Sequence, residues 1–177
     1  MSKDETQASA SWWRSRWMGW LGTVLLAILV YAGVRVWQGI GVEPYPAPPL
    51  AGNLLDGTEY KLEREPAGTR LIYFWASWCP ICKLQQGAID ALRRDHDVIT
   101  VATLKSGSVP EMQQYLAQAG LNWRVVNDPE NELARTWKVR GVPKMYIVDR
   151  HGQVRFQMTG YTSGIELRIR LWFAEHF

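Results

Sequence analysis

The sequence predicts an α/β domain, in which a central mixed sheet is flanked by helices, preceded by one N-terminal transmembrane helix. Three observations support this prediction. Buried-strand patterns alternate with amphipathic-helix patterns after residue 51, a long uncharged run lies near the N-terminus, and a proline-rich segment separates the two. The 177 residues have room for one ordinary domain and an appendage.

Composition excludes several classes of protein. An apolar fraction of 47% with ten tryptophans is incompatible with a disordered chain. A net charge of +3 is too small and too dispersed to predict nucleic acid as a partner. Two cysteines are too few for a disulfide scaffold or for a four-cysteine zinc site. Redox chemistry by the two cysteines stays open.

The run from Trp17 to Val34 contains 18 residues without a charge. As a helix it spans roughly 27 Å, close to the ~30 Å hydrocarbon core of a bilayer. Since Lys3, Arg14 and Arg16 precede the run, the positive-inside rule predicts a cytoplasmic N-terminus and a globular part outside the cytoplasm, where a disulfide persists. A cleaved signal peptide, with residues 30–32 at the cleavage position, is the alternative.

Residues 41–49 include four prolines, a composition that predicts a semi-rigid extended spacer. Four segments are therefore predicted: a cytoplasmic N-terminal segment 1–16, a transmembrane anchor 17–40 in contact with the lipid bilayer, a Pro-rich linker 41–50 and a globular domain 51–177.

Periodicity and capping residues predict the elements of the domain. A small hairpin turns at Asp56-Gly57. The last segment alternates like a strand, but a capping box at Ser163 and Glu166 favours a helix. The predicted order is strand 71–76, helix 80–94, strand 98–104, helix 108–119, short strand 123–126, brief helix 128–137, a hairpin of 145–149 with 153–158, and the final helix. The predicted inner side of helix 80–94 is Ile81, Leu84, Ala88, Ile89 and Leu92.

The only two cysteines, Cys79 and Cys82, lie between a buried strand and a helix. Two thiols at this spacing and junction form a dithiol/disulfide couple. Cys79 falls at the helix N-cap and Pro80 at the first helical position, so unpaired N–H groups and the helix dipole stabilise the Cys79 thiolate that attacks a disulfide. Cys82, one turn later, is expected to be better shielded and to resolve the mixed disulfide.

Two other functions stay open for the same pair. Two thiolates can bind a soft metal such as Cu(I), which would make the chain a copper-handling module. The fold can also have an assembly role without turnover. His96, His151 and His176 lack metal-ligand spacing, so no other metal site is predicted.

A second motif, Arg140-Gly141-Val142-Pro143, precedes a predicted strand, where a proline cannot donate a ladder hydrogen bond. With the motif WASWCPIC at residues 75–82 and the closing GYTSG at residues 160–164, residues 51–177 resemble the thioredoxin-like superfamily. The resemblance is to its membrane-tethered periplasmic branch, which includes TlpA-type and cytochrome-c-maturation proteins. Within that branch the chain looks most like the suppressor-of-copper-sensitivity D-type disulfide oxidoreductases.

The resemblance implies a thioredoxin fold and a protein thiol–disulfide oxidoreductase in the bacterial inner membrane, with its catalytic domain in the periplasm. Cys79 and Cys82 would be catalytic, Pro143 would be a cis-proline facing them, and Val142 would offer its backbone to an extended substrate segment. The implied substrate-binding residues are Trp78, Pro80, Ile81, Val142 and Pro143. Phe74 and Trp75 are expected in the core.

The implied partners are periplasmic cysteine-containing proteins and a membrane or periplasmic redox partner that regenerates the pair. No organic cofactor is predicted, because the two sulfurs themselves carry the electrons. A role in copper tolerance is implied by the resemblance alone.

Two departures from the family pattern concern proton transfer. Thioredoxins carry a buried aspartate six residues before the first cysteine, where this chain has Tyr73. TlpA-like reductants often carry a glutamate three residues after the second cysteine, where this chain has Gln85. The missing carboxylates argue against an efficient reductant. The uncharged pair Pro80-Ile81 argues against the strongest oxidants, so the direction of exchange stays open.

Overall fold

The structure, a computed structural model, describes residues 20, 22–31, 43–62 and 68–177. The chain divides into two compact units, Met1–Gly41 and Val42–Phe177, and each is described by itself.

In the first unit, residues 20 and 22–31 are helical and exposed. The other positions of the predicted anchor 17–40, and part of the predicted cleavage site, lie outside the described residues. Among the helices that the structure describes, none combines the length and hydrophobicity needed to cross a membrane.

The second unit is built on a six-stranded mixed sheet and a separate two-stranded ladder. The strands are β1 (Tyr45–Pro46), β2 (Ala51–Asn53), β3 (Glu59–Lys61), β4 (Arg70–Trp75), β5 (Asp97–Ala102), β6 (Val125–Asn127), β7 (Lys144–Val148) and β8 (Gln153–Thr159). The large sheet has the order β1-β8-β7-β4-β5-β6, and β2 pairs with β3. Strands β4, β5 and β6 are parallel, whereas β7, β8 and β1 pair antiparallel. The turn between β2 and β3 is the predicted one, with Gly57 at φ +87°.

Four helices connect or follow these strands: α1 (Pro80–Leu92), α2 (Val109–Gln118), α3 (Glu132–Thr136) and α4 (Gly164–His176). The predicted order of strands and helices in the domain is confirmed. The final segment is a helix because the Ser163 hydroxyl accepts a hydrogen bond from the Glu166 N–H at 3.2 Å, which caps its first turn.

Strand β4 is buried on both faces, as its continuous apolar sequence predicts. Tyr73 and Trp75 pack into one core cluster, which includes residues of α1 and α4. Ile72 and Phe74 pack into a second cluster on the opposite face, against Trp137 and other residues. Trp75 and Phe74 are at most 1% exposed, which confirms their predicted core positions.

Part of the predicted linker 41–50 belongs to the folded domain. Tyr45 pairs with Val154 of β8, and the Ala47 N–H donates to the Gly152 carbonyl at 2.8 Å. Leu50 is buried in the second core cluster. An edge strand tolerates proline because its outer side requires no ladder N–H. From Tyr45 onward this segment is therefore part of the folded domain rather than a spacer.

The inner face of α1 also differs from the prediction. The buried residues of the helix are Cys82, Gln85, Ile89 and Leu92. Leu84 is 73% exposed and Ile81 is 44% exposed, so both were wrongly placed on the inner side. The predicted face was wrong because it was assigned from hydrophobicity alone. The inward residue Gln85 is polar, and its hydrogen bonds compensate for its burial.

Helix α3 begins at Glu132, four residues later than predicted. Asp128 still caps it, since its carboxylate accepts from the N–H groups of Leu133 at 3.1 Å and Ala134 at 2.9 Å. The intervening Asn131 has φ +59°, a left-handed conformation that breaks the helix between cap and body.

Candidate active site

Cys79 lies at the junction of β4 and α1 and is the N-cap of that helix, as predicted. Its Sγ accepts a hydrogen bond from the Cys82 N–H at 3.2 Å, and Pro80 occupies the first helical turn. Both thiols are free, and Cys82 is the more shielded, with 1% exposure against 4% for Cys79. Cys79 therefore lies at the helix start and is the less shielded of the two cysteines.

The second motif lies directly beside this sulfur. The Val142–Pro143 peptide bond is cis, as the resemblance implies. The Cys79 thiol donates to the Val142 carbonyl at a distance of 3.7 Å. The Pro143 carbonyl accepts from the Gly160 N–H at 2.9 Å, which ties the loop before α4 to the same edge. Residues 63 positions apart in the sequence therefore form one site.

The residues next to Cys79 in the chain are apolar and exposed, whereas Cys79 itself is nearly covered. Trp78 is 59% exposed and Ile81 is 44% exposed, and Pro80 between them is also exposed. The outward position of Ile81 contradicts its predicted packing and leaves its side chain accessible beside Cys79.

Trp78 is held by a loop that sequence reasoning did not identify. Its indole Nε1–H donates to the Leu104 carbonyl at 2.9 Å. The loop has Leu104 at φ +54° and Lys105 at φ +58°, and the Leu104 N–H donates to the Asn131 side chain at 2.6 Å. The Ser77 hydroxyl donates to the Ser106 carbonyl at 2.7 Å. The sequence gives little signal for this loop beyond polar residues after two adjacent strands.

Cys82 is buried. Tyr73 and Gln85, at the two positions where the family pattern has a carboxylate, supply none. Burial, followed by the neighbouring Cys79 thiol, raises the pKa of Cys82 to about 12. The Tyr73 hydroxyl donates weakly to the Cys82 carbonyl at 3.5 Å, and burial raises the pKa of Tyr73 above its ordinary value. Cys82 is therefore a protonated thiol at neutral pH.

Gln85 links α1 to the loop before α4 and is fully buried. Its side-chain N–H donates to the Thr162 carbonyl at 2.7 Å, and its side-chain oxygen accepts from the Thr162 N–H at 2.8 Å. An amide can satisfy both backbone groups at once, whereas a carboxylate supplies acceptors only.

Within the described part of the chain, no group of three or more His, Cys, Asp or Glu side chains is placed to hold a metal ion. The Cu(I) alternative uses the two thiolates of Cys79 and Cys82 alone and stays a prediction.

Comparison with known proteins supplies independent information on the family. The pattern of the AhpC/TSA family matches residues 45–157. The chain is 34% identical over 125 residues to a thioredoxin-like protein of Haemophilus influenzae, a match that covers 70% of this chain and 74% of that protein.

Two thiol:disulfide interchange proteins show similar identity over shorter stretches. DsbE of Allochromatium vinosum is 32% identical over 91 residues, covering 51% of this chain and 50% of that protein. HelX of Rhodobacter capsulatus is 32% identical over 92 residues, covering 51% of this chain and 52% of that protein. The chain thus matches about half the length of each interchange protein.

Solved structures show the same fold. A putative thiol:disulfide interchange protein DsbE from Chlorobium tepidum superposes with a TM-score of 0.67 at 24% identity, covering 75% of this chain and 97% of that one. A second thiol:disulfide interchange protein, a thioredoxin family protein from Chlorobium tepidum TLS, gives a TM-score of 0.65 at 21% identity, covering 75% and 97%. From the match to residues 45–157, which begins at β1 and includes both cysteines and the cis-proline, we conclude that this chain is a member of the AhpC/TSA family with a thioredoxin fold.

Proposed function

We propose that this protein is a thiol–disulfide oxidoreductase that exchanges disulfides with cysteine-containing proteins through Cys79 and Cys82. One observation carries the proposal: the Cys79 sulfur lies at a helix N-cap, 3.2 Å from the Cys82 backbone nitrogen and 3.7 Å from the Val142 carbonyl oxygen. The relatives named as thiol:disulfide interchange proteins support the same chemistry.

In the reducing direction, the Cys79 thiolate attacks one sulfur of a partner disulfide, and the departing partner sulfur leaves with the bonding electrons and takes up a proton. The product is a mixed disulfide between Cys79 and the partner. Cys82, after losing its proton, attacks the Cys79 sulfur, releases the second partner thiol and closes the Cys79–Cys82 bridge. Two electrons have then passed to the partner, and the reverse sequence oxidises a partner dithiol.

The Cys82 proton controls the second step, because burial raises the pKa of this thiol. Tyr73 and Gln85 occupy the positions of the family carboxylates, and neither accepts a proton at neutral pH. The proton therefore leaves to the departing partner thiolate or to solvent, which slows resolution of the mixed disulfide.

We propose that Trp78, Pro80 and Ile81 contact the partner next to its cysteine, and that Val142 and Pro143 hold an extended segment of it. The exposure of the first three residues and the closeness of the Val142 carbonyl to the Cys79 sulfur support these roles.

The proposal includes a membrane anchor over residues 17–40, with the N-terminus in the cytoplasm and the catalytic domain in the periplasm. In support, the helical residues 22–31 carry no charge, and their leucines Leu25, Leu26 and Leu29 are all more than half exposed. Protease digestion of spheroplasts should remove the domain while an N-terminal tag inside the cell survives. Loss of that tag from the mature protein would instead show a cleaved signal peptide.

The decisive experiment measures the reduction potential of the full chain in glutathione buffers. A value near about −270 mV marks a reductant that receives electrons from a membrane or periplasmic partner, whereas about −120 to −180 mV marks an oxidant or isomerase. If no reversible two-electron couple forms and the pair binds Cu(I) tightly at one per chain, the oxidoreductase proposal fails and the copper-handling alternative replaces it.

A further inference from the structure

The charge around the reactive sulfur is unevenly distributed. Four segments meet there: the turn 75–82, the loop 103–108, the stretch 138–144 and the loop 159–163. They are joined by the contacts of Cys79 with Val142, of Trp78 with Leu104, and of Gly160 with Pro143. Each of the other three segments is therefore linked, directly or through one neighbour, to the turn that carries the sulfur.

None of the four segments contains an aspartate or glutamate. Their charged residues are Lys105, Lys138, Arg140 and Lys144, all of them cations. The acid-free stretch extends from Leu133 to Val148, on both sides of the cis-proline. The whole chain has 17 acidic residues against 20 lysines and arginines, so these four segments together are more one-sided in charge than the chain as a whole.

Three of these four cations are exposed and keep their charge available to a partner. Lys105, Lys138 and Arg140 are exposed, and within the described residues none of them takes part in an ion pair. The Lys144 ammonium donates only to neutral groups, at 3.0 Å to Thr159 and 3.3 Å to Gln157. Burial lowers the pKa of Lys144, as expected for an amine without a carboxylate beside it.

Three carboxylates that lie near these segments in the sequence, Glu111, Asp128 and Glu130, form no ion pair with these cations among the described residues. Glu111 accepts hydrogen bonds from the backbone N–H and the hydroxyl of Ser108. Asp128 is buried and accepts from the backbone at the start of α3. Glu130 is exposed but lies outside the four segments.

We propose that this redox site selects partner proteins whose reactive cysteine lies in an acidic segment. The inference rests on the proposed exchange function and names its class of partner. Unpaired cations beside a docking edge speed the encounter with an anionic segment and slow it with a cationic one. The effect acts over about 8 Å at physiological ionic strength and weakens as salt is added.

The test compares three disulfide-bridged peptides of equal length, whose cysteines are flanked by aspartate, glutamine or lysine. The reduced full chain in neutral detergent reacts with each at about 20 mM and about 500 mM salt. Bis(2-hydroxyethyl) disulfide, which is uncharged, measures the exchange chemistry alone. At low salt the aspartate peptide should react roughly fivefold faster than the glutamine peptide and the lysine peptide more slowly, and high salt should remove the differences.

Matched variants locate the effect. The quantity compared is the rate with the aspartate peptide divided by the rate with the uncharged disulfide. This ratio should fall roughly twofold in Arg140→Gln and roughly twofold in Lys138→Gln. Arg150→Gln removes the same charge just beyond the opposite end of β7, at an exposed position. Its ratio should equal that of the unaltered protein.

Each outcome has one reading. Failure to exchange with the uncharged disulfide would refute the proposed function itself. Normal exchange with that disulfide, but equal rates for the three peptides, would refute the acidic-partner inference and leave the function intact. If anionic lipid vesicles slow exchange with the uncharged disulfide while the peptides react equally, the cations bind a lipid surface, and the inference is again overturned.

Discussion

Replacing Gln85 tests whether the buried amide joins α1 to the loop before α4. In Gln85→Leu, the Thr162 N–H and carbonyl lose their side-chain partners at a position that is 3% exposed. An unsatisfied buried polar group destabilises by about 1–3 kcal/mol, so the free energy of unfolding should fall by about 2–6 kcal/mol. Domains are stable by only about 5–15 kcal/mol, so this loss is easily measured.

Gln85→Glu should produce a loss that depends on pH. The carboxylate can accept from the Thr162 N–H, but it repels the Thr162 carbonyl that the amide now donates to. Burial and this repulsion raise the carboxyl pKa in the folded state above its ordinary value of about 4.3. The folded state then binds more protons, so the variant is most stable near pH 4 and loses stability as the pH rises toward 8. Each unit of pKa elevation corresponds to about 1.4 kcal/mol.

Urea denaturation of the reduced unit Val42–Phe177, followed by tryptophan fluorescence at about pH 4, 6 and 8, measures both effects. The difference between Gln85→Glu and the unaltered protein should widen by at least about 2 kcal/mol over this range. A constant difference, or a Gln85→Leu variant as stable as the unaltered protein, would refute the stabilising role of the Gln85–Thr162 hydrogen bonds.

Three further predictions concern the reactive turn. Cys82→Ser should accumulate mixed disulfides on Cys79, seen by non-reducing electrophoresis, while Cys79→Ser should trap none. If Cys82→Ser forms no mixed disulfide, the assigned order of attack is wrong. In Cys79→Ser, alkylation of Cys82 should accelerate about tenfold per pH unit between about pH 7 and 9, because burial raises the pKa of this thiol. A rate that does not change with pH would contradict the raised pKa. Trp78→Phe removes the hydrogen bond to Leu104 and should lower the free energy of unfolding by about 0.5–1.5 kcal/mol in urea, and an unchanged midpoint would show that this bond contributes nothing.

The predictable part of the fold is the part that hydrophobic pattern and capping determine. Strand β4 and the capped helix α4 lie within about one residue of their predicted starts, because a strand buried on both faces and a serine cap each leave a direct signal in the sequence. Cys79 at the N-cap follows from the same local rules.

The features that were missed depend on contacts between distant residues. Gln85 faces inward only because the Thr162 backbone, 77 residues later, satisfies its amide. Tyr45 and Pro46 join the sheet because β8 offers a free edge, which no pattern within a proline-rich segment reveals. The Leu104 carbonyl that holds Trp78 depends on Asn131, which lies 27 residues further along the chain.

The short strand β1 has a consequence for how extended chains can approach this domain. Paired with β8, it places Pro46 at one edge of the large sheet, and proline has no N–H to offer a new strand. At the other edge, β6 is bridged by Leu54 and receives the Leu55 N–H. Each edge thus carries an obstacle to strand addition by another copy of the chain, an association that leads to aggregation. Under the proposed function, an extended partner would pair instead with the backbone of Val142, whose carbonyl lies 3.7 Å from the Cys79 sulfur.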